Sequence, residues 1–200
     1  MILIGMLDSP YVRRVAICMK VLGITFEHQP LSVFRDFEDM RAINPVVKVP
    51  TLITDDNQQL MDSTLILDYL QTLPAAQGSL MAPSGAARLY DLTLTGLALA
   101  ACEKAVQMVY EWQLRPVEKQ HQPWLDRVQL QLLSALTIIE EKLAHQPPQI
   151  NSIAGVSIAV AWSFIQLMLP AVVKTQHFPL IATFSDQAEQ TAPFIALPMV

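Results

Sequence analysis

The chain has 200 residues and a formal charge of −5, and only 16% of its residues are charged while 52% are apolar. This balance excludes a disordered chain, because disordered chains are poor in apolar residues and rich in charge. The charges are interspersed and form no basic block, which argues against a nucleic-acid partner. The two cysteines lie far apart and the four histidines are scattered, so we expect neither a disulfide framework nor a metal site.

The first eighty residues predict alternating strands and helices. Short apolar or alternating runs indicate strands over residues 2–6, 24–30, 49–54 and 58–62. Apolar side chains three and four apart, or weak helical patterns, indicate helices over residues 11–22, 34–44 and 63–73. Gly23 ends the first helix, and Asn44 ends the second because a residue before proline avoids the α region. The predicted order is βαβαββα, with the last two strands forming a hairpin.

The second half of the chain predicts helices only. Proline, glycine, alanine and serine are concentrated in residues 76–85, which we interpret as a linker between domain 1–75 and an all-helical domain 86–200. The three/four spacing of apolar side chains is clearest over residues 124–143, and two further helices are expected over residues 88–112 and 155–169.

The stretch 153–173 contains no charge and is long enough to cross a membrane. Polar residues and a proline interrupt it, however, and its flanks carry no cluster of Lys or Arg. A helix that is apolar on all sides is also what a protein core contains, so we expect a buried helix and no membrane span. The N-terminus lacks the charged and apolar regions of a signal peptide, and we expect a reducing cytosol as the compartment.

Three short motifs lie where a helix starts or at an X–Pro bond: Ser9-Pro10-Tyr11, Val49-Pro50 and Asp62-Ser63. Helix N-termini present unpaired N–H groups and a partial positive charge, so two of them facing one cleft suit an anionic ligand. Each motif also has a purely structural interpretation. The serines and the aspartate are ordinary cap residues, and Pro50 is compatible with a trans bond at a sheet edge.

Taken together, these motifs resemble those of the cytosolic glutathione S-transferases. The segment NPVVKVPTL resembles the asparagine-proline and valine-proline segment of that family, MDSTLILDYL its acid-serine pair at a helix start, and SPYVRR its serine-type catalytic turn. The resemblance covers essentially the whole chain. It implies a thioredoxin-like α/β domain followed by an all-α helical-bundle domain.

The resemblance also implies a set of glutathione-binding residues. Pro50 would follow a cis bond and turn the backbone of Val49 toward the cysteinyl part of glutathione. Ser63 would bind the γ-glutamyl carboxylate and Asp62 the γ-glutamyl ammonium, while Lys48 would neutralise the glycyl carboxylate. Glutathione would act as a co-substrate, with no permanently bound cofactor.

Ser9 would place its hydroxyl beside the glutathione sulfur and stabilise the thiolate, because a hydroxyl donor and a helix N-terminus both favour the charged form. The residues leave open whether Ser9 does this or only caps the helix. Tyr110 and Trp112 are candidates for a pocket that holds a small hydrophobic electrophile, and they are equally compatible with a core or surface position. The family resemblance further implies a homodimer.

Some features of the chain depart from the family pattern. The family has Ser/Thr-x-x-Asp at the start of its buried helix, and we place that box at Ser157, where the acid is replaced by Val160. A non-catalytic binder of glutathione or of a hydrophobe, or an interaction scaffold on the same fold, is therefore an alternative function.

Other residues receive structural interpretations. SPYV lacks both cysteines of a Cys-Pro-Tyr-Cys motif, which excludes a glutaredoxin-type dithiol mechanism at this position. Cys18 and Cys102 are expected to be inert core residues. Arg13 and Arg14 are expected to lie on a solvated face or to form an interface pair.

Overall fold

A computed structural model of the chain describes residues 1–199. The chain divides into two compact units. Met1–Leu80 and the segment that begins at Gln190 form the N-terminal unit, and Met81–Glu189 form the helical unit. The expected helical domain 86–200 is therefore too long at its C-terminal end, because the last residues of the chain pack with the N-terminal unit.

The N-terminal unit has the predicted order βαβαββα. Its strands are β1 Ile2–Ile4, β2 Glu27–Gln29, β3 Thr51–Ile53 and β4 Gln59–Met61, and its first three helices are α1 Pro10–Val21, α2 Phe37–Ile43 and α3 Ser63–Gln71. The sheet order is β2-β1-β3-β4, with β1 parallel to β2 and the other two pairs antiparallel. This confirms the α/β fold that was predicted for the first half.

Helix α1 is central to the N-terminal unit and packs against α3 and β1. Its apolar side chains Val12, Val15 and Met19 are fully buried, as the three/four spacing predicts. The helix ends where Gly23 adopts a positive φ of 68°, and the amide of that glycine donates to the Lys20 carbonyl. Ser9 lies at the other end of this helix, directly before its first residue.

The helical unit contains four long helices and two short 3-10 turns. The helices are α4 Gly85–Leu114, α5 Gln122–His145, α6 Ile153–Met168 and α7 Pro179–Glu189, and the 3-10 turns are Val117–Lys119 and Thr175–His177. A further short helix, α8 Ala192–Ile195, belongs to the N-terminal unit. Helix α7 was not predicted. Its start is stabilised by a distant residue, Glu140 of α5, whose carboxylate accepts the amides of Leu180 and Ile181 at 2.7 and 2.9 Å.

Helix α6 is the uncharged stretch that raised the question of a membrane span. It has 16 residues, fewer than the roughly 20 that a span needs, and most of its side chains are buried. Within residues 1–199, only α4 is long and apolar enough to cross a membrane, and core helices of globular proteins meet the same criterion.

The predicted cap of α6 was wrong. The helix begins at Ile153, and the hydroxyl of Ser152 accepts the amide of Gly155 at 3.1 Å. Ser157 lies inside the helix and donates to the Ile153 carbonyl at 2.6 Å. The position at which the family would place its capping acid is therefore Gly155 and not Val160, and the acid is missing there too.

Candidate functional site

Ser9 lies in the turn between β1 and α1 and is the N-cap of α1. Its hydroxyl oxygen accepts the amide of Val12 at 3.5 Å, the long limit for a hydrogen bond, so the cap interaction is weak. A serine hydroxyl also has one hydrogen to donate, and accepting a cap bond does not use it. Ser9 can therefore cap α1 and donate to a ligand at the same time.

Gly5 brings the start of α1 together with the loop before β3. A Cβ atom at this position would lie 2.5 Å from Cγ2 of Val12 and 2.9 Å from Cβ of Val49, and the φ angle of Gly5 is +131°. Only glycine fits such an approach and such a backbone. Sequence reasoning missed this residue, although a glycine directly after an apolar strand is a signal of close backbone approach.

Val49 and Pro50 are joined by a cis peptide bond, which confirms the expected backbone geometry. Pro50 is buried, while Val49 is partly exposed. Within residues 1–199, neither the N–H nor the C=O group of Val49 forms a hydrogen bond. Both groups remain able to pair with the backbone of an extended peptide.

Asp62 and Ser63 start α3. Asp62 has a positive φ of 76°, and its Oδ1 accepts the amides of Thr64 and Leu65 at 2.9 and 3.4 Å. The amide of Ser63 has no hydrogen-bond partner within residues 1–199 and lies at the positive end of the helix dipole. The start of α3 thus combines one open N–H group with one capping carboxylate.

Arg14 links this helix start to α1, which the sequence did not predict. Only 1% of its surface is exposed, and its Nη1 donates to the hydroxyls of Ser63 at 3.0 Å and Thr64 at 3.3 Å. The expectation of a solvated arginine was therefore wrong. A buried guanidinium is costly unless its N–H groups form hydrogen bonds. Here two of the acceptors are hydroxyls that lie about 50 positions further along the chain.

Arg13 is also buried, so the same expectation was wrong for both arginines. Its Nε donates to the carbonyl of Leu197 at 2.9 Å, and its guanidinium lies 5.4 Å from the ring centroid of Phe194. The side chain thus ties the C-terminal segment of the chain to α1, which explains why that segment belongs to the N-terminal unit.

The three remaining predicted site residues are Lys48, Tyr110 and Trp112. Lys48 is exposed on the loop before β3. Tyr110 and Trp112 lie near the C-terminal end of α4 in the helical unit, with 44% and 40% of their surfaces exposed. Partial burial raises the pKa of the Tyr110 hydroxyl, so this group stays a neutral donor at neutral pH. A pocket at these aromatics stays a prediction.

Both cysteines are buried, as expected. Burial raises the pKa of the Cys18 thiol to about 12, and the positive charge of Arg14 acts in the opposite direction with a smaller effect. Since the thiolate is the reactive form, Cys18 cannot take part in thiol chemistry near neutral pH.

This shift predicts a loss of stability at alkaline pH. In the unfolded chain the thiol ionises near pH 9, while in the folded chain it stays protonated up to about pH 12. Unfolding therefore releases a proton within this window, and this group should lower the free energy of unfolding by about 1.4 kcal/mol per pH unit between about pH 9 and pH 12. Urea unfolding of the wild type and of Cys18→Ala at several pH values measures this slope. Equal slopes for the two proteins would contradict the prediction.

The N-terminal unit matches a known family. Residues 3–78 match the model of the glutathione S-transferase N-terminal domain. The chain is also similar to the uncharacterized GST-like protein YibF of Escherichia coli K12, with 27% identity over 160 residues that cover 80% of this chain and 78% of YibF.

Solved structures extend this similarity to the whole chain. A glutathione transferase family member from Pseudomonas fluorescens Pf-5, with bound glutathione, is 29% identical with a TM-score of 0.83, covering 100% of this chain and 98% of that one. A second structure of a glutathione transferase family member from Pf-5 holds bound S-(propanoic acid)-glutathione. It is 28% identical to this chain with a TM-score of 0.82, and the similarity covers 100% of this chain and 97% of that one. A Methylobacterium radiotolerans glutathione S-transferase in complex with glutathione sulfonate shares the fold, with a TM-score of 0.90 at 22% identity and coverage of 100% and 95%.

Proposed function

We propose that this chain, a member of the glutathione S-transferase family, binds glutathione in its N-terminal unit and stabilises the thiolate for attack on a small hydrophobic electrophile. The observation that carries the proposal is the arrangement around α1. Ser9 is its N-cap, Gly5 lies between the side chains of Val12 in its first turn and of Val49, and one turn further on Arg14 holds the start of α3 at Ser63. These groups complement the successive parts of one tripeptide.

The γ-glutamyl end of glutathione is proposed to bind at the start of α3. Its carboxylate would accept hydrogen bonds from the amide and the hydroxyl of Ser63, since the bond from Arg14 occupies only a lone pair of that hydroxyl. The helix dipole and the guanidinium of Arg14 both favour a negative charge there. The Oδ2 atom of Asp62 forms no hydrogen bond within residues 1–199 and would accept from the ammonium group.

The middle and the C-terminal end of glutathione are proposed to bind along the loop before β3. The N–H and C=O groups of Val49 would pair with the cysteinyl backbone, as neighbouring strands do. The ammonium of Lys48 would neutralise the glycyl carboxylate. Because Lys48 is exposed, this ion pair would contribute about 1 kcal/mol or less.

The sulfur is proposed to lie beside Ser9. A free thiol has a pKa near 8.5, and a hydroxyl donor together with the helix N-terminus would lower the pKa of the bound thiol to about 6.5–7. The thiolate then forms a bond from sulfur to the electrophilic carbon while a leaving group departs. With a peroxide, the thiolate would instead attack one oxygen and break the O–O bond, giving an alcohol and the sulfenic acid of glutathione, which a second glutathione converts to the disulfide and water. The protein has no accessible thiol of its own for this chemistry within residues 1–199, so glutathione itself is the nucleophile.

The electrophile, the oligomeric state and the compartment belong to the same proposal. Tyr110 and Trp112 offer exposed aromatic surface to a hydrophobic co-substrate. The protein would act as a homodimer in the cytoplasm, as part of a detoxification system. Sedimentation at micromolar concentration tests the dimer, and a species with the mass of one chain would contradict it.

Titration calorimetry with glutathione, followed by an ultraviolet titration of the thiolate in the complex, tests the main proposal. We expect binding and a bound-thiol pKa at least one unit below that of free glutathione. S-methylglutathione, whose sulfur cannot ionise, controls for absorbance changes of the protein. No binding would refute the proposal, and binding with an unshifted thiol pKa would instead support a non-catalytic glutathione binder.

A further inference from the structure

Two buried polar side chains hold the carbonyl group of Lys48. The hydroxyl of Thr51 donates to this oxygen at 2.7 Å, and Nδ2 of Asn44 donates to it at 3.3 Å. The same Nδ2 also donates to the Thr51 hydroxyl at 2.9 Å, so that the two side chains and the carbonyl form one closed network. Asn44 and Thr51 are 2% and 0% exposed, which removes water as a competing partner.

This network fixes the orientation of the neighbouring amide. The Lys48 carbonyl and the Val49 N–H belong to one peptide unit, and this unit is trans, since the only cis bond within residues 1–199 is that between Val49 and Pro50. In a trans peptide the C=O and N–H bonds point in opposite directions within one plane. With the carbonyl held toward buried Asn44 and Thr51, the N–H of Val49 is directed away from them.

Asn44 also holds the turn that precedes this peptide unit. Val47, one residue before Lys48, has a φ angle of +52°, which is an unfavourable conformation for a β-branched residue. Asn44 stabilises the turn, because its Oδ1 accepts the amide of Val46 at 3.0 Å and its carbonyl accepts the amide of Val47 at 2.8 Å. Asn44 thus holds both the turn and the peptide that follows it.

We propose that Asn44 and Thr51 are positioning residues for glutathione, which aim the Val49 N–H at the cysteinyl carbonyl by fixing the peptide plane between Lys48 and Val49. This inference rests on the proposed function, because it assigns a purpose to the network only if glutathione pairs with Val49. Neither side chain touches the ligand. Their effect is on affinity, through a donor that is already oriented before glutathione arrives.

Thr51→Val tests the proposal, because valine keeps the size and burial of threonine and removes the hydroxyl. We expect the Kd for glutathione to rise about tenfold, corresponding to about 1.4 kcal/mol of binding free energy, since the Lys48 carbonyl loses its shorter hydrogen bond. Thr51→Ser restores the hydroxyl and should return the Kd to within twofold of the wild type.

Thr54→Val is the matched control. Thr54 is a buried threonine that follows the same strand, and its hydroxyl accepts the amide of Gln58 in the hairpin turn at 3.0 Å. The substitution removes a buried hydroxyl of the same kind without touching the Lys48 carbonyl. We expect a similar loss of stability and a Kd for glutathione within twofold of the wild type.

Amide resonances separate positioning from a general loss of structure. In the wild type, glutathione should shift the amides of both Val49 and Ser63. In Thr51→Val the shift at Val49 should shrink while that at Ser63 persists at saturating glutathione, because the start of α3 is unchanged. If Thr51→Val does not fold, Asn44→Asp makes the same test, since it keeps the acceptor for Val46 and replaces the donor to Lys48 by an oxygen.

The outcomes separate the two proposals. If the wild type does not bind glutathione, the proposed function fails and this inference fails with it. If the wild type binds and Thr51→Val binds equally well with an unchanged Val49 shift, only the positioning role is overturned. An equal loss of affinity in Thr51→Val and Thr54→Val would also overturn it, because the effect would then follow from stability alone.

Discussion

Ser9→Ala is expected to lower kcat/KM for conjugation about 100-fold while leaving the Kd for glutathione within threefold of the wild-type value. The hydroxyl would contact only the sulfur, whereas the peptide backbone of glutathione binds elsewhere. Removing one hydrogen-bond donor to an anion in a shielded site costs about 2–4 kcal/mol of transition-state stabilisation. We expect the pKa of the bound thiol to rise toward 8.5 by the same physical cause.

The measurement is the thiolate titration of the glutathione complex, together with kinetics on an aryl halide. Ser152→Ala is the control, because Ser152 caps α6 as Ser9 caps α1 but with a shorter bond of 3.1 Å, so that its removal should cost at least as much stability, about 1 kcal/mol. It should leave the thiol pKa and kcat/KM unchanged. A thiol pKa that is the same in Ser9→Ala and in the wild type would assign Ser9 to capping alone.

The two roles of Ser9 do not compete. As a cap, the Ser9 hydroxyl oxygen accepts the amide of Val12 at 3.5 Å with one of its lone pairs. The hydrogen of the hydroxyl is not used by this bond and remains available to donate to a thiolate. The same helix end whose amides need a cap supplies the positive potential that favours an anion. The sequence could identify this place because its signals are local: an apolar strand, a serine and a proline.

Local signals also explain why the ends of α1 and α2 and the start of α3 could be predicted. Gly23 ends α1 with the expected positive φ, Asn44 ends α2 before a proline, and Asp62 caps α3. Each depends on the conformational preference of one or two residues, which holds in most folds. The cis bond before Pro50 was different. Its prediction came from the family resemblance, and the residues alone left the trans alternative open.

The arginines show where sequence reasoning failed and why. Adjacent charges on a helix are usually solvated, and a pattern within α1 cannot reveal partners such as Ser63 or Leu197, which are 49 and 184 positions away. The same limit applies to α7, whose start depends on Glu140 of another helix. Hydrogen bonds between a buried donor and a residue far along the chain form only in the folded protein, so they leave no local pattern in the sequence.

The predicted start of helix α6 was wrong for another reason. Because it is apolar on all sides, its start has no periodic signal, and several serines precede or follow that start. The sequence pattern predicts Ser157 as the cap, whereas in the structure Ser152 performs this role. The useful signal was Gly155, a residue that weakens helices and therefore needs a packing reason to stand in the first turn of one.

That packing reason leads to the second large effect, which is on stability. A Cβ atom on Gly155 would lie 2.2 Å from the carbonyl oxygen of Gln149 and 2.6 Å from that of Ile150, both backbone atoms of the loop before α6. Neither oxygen can move aside as a flexible side chain would. We expect Gly155→Ala to lower the free energy of unfolding by about 3 kcal/mol, because the loop must leave its place over the helix start.

Urea unfolding measures this difference, and Gly96→Ala is the matched control. Gly96 lies in α4, where a Cβ atom would meet nothing within 4 Å, so the same substitution should raise the free energy of unfolding by about 0.5–1 kcal/mol through the higher helix propensity of alanine. The two substitutions should change the free energy of unfolding in opposite directions, because the added Cβ atom meets backbone oxygens at Gly155 and open space at Gly96. If both variants were stabilised, the loop before α6 would have to accommodate the Cβ atom of alanine, and the prediction for Gly155 would be contradicted.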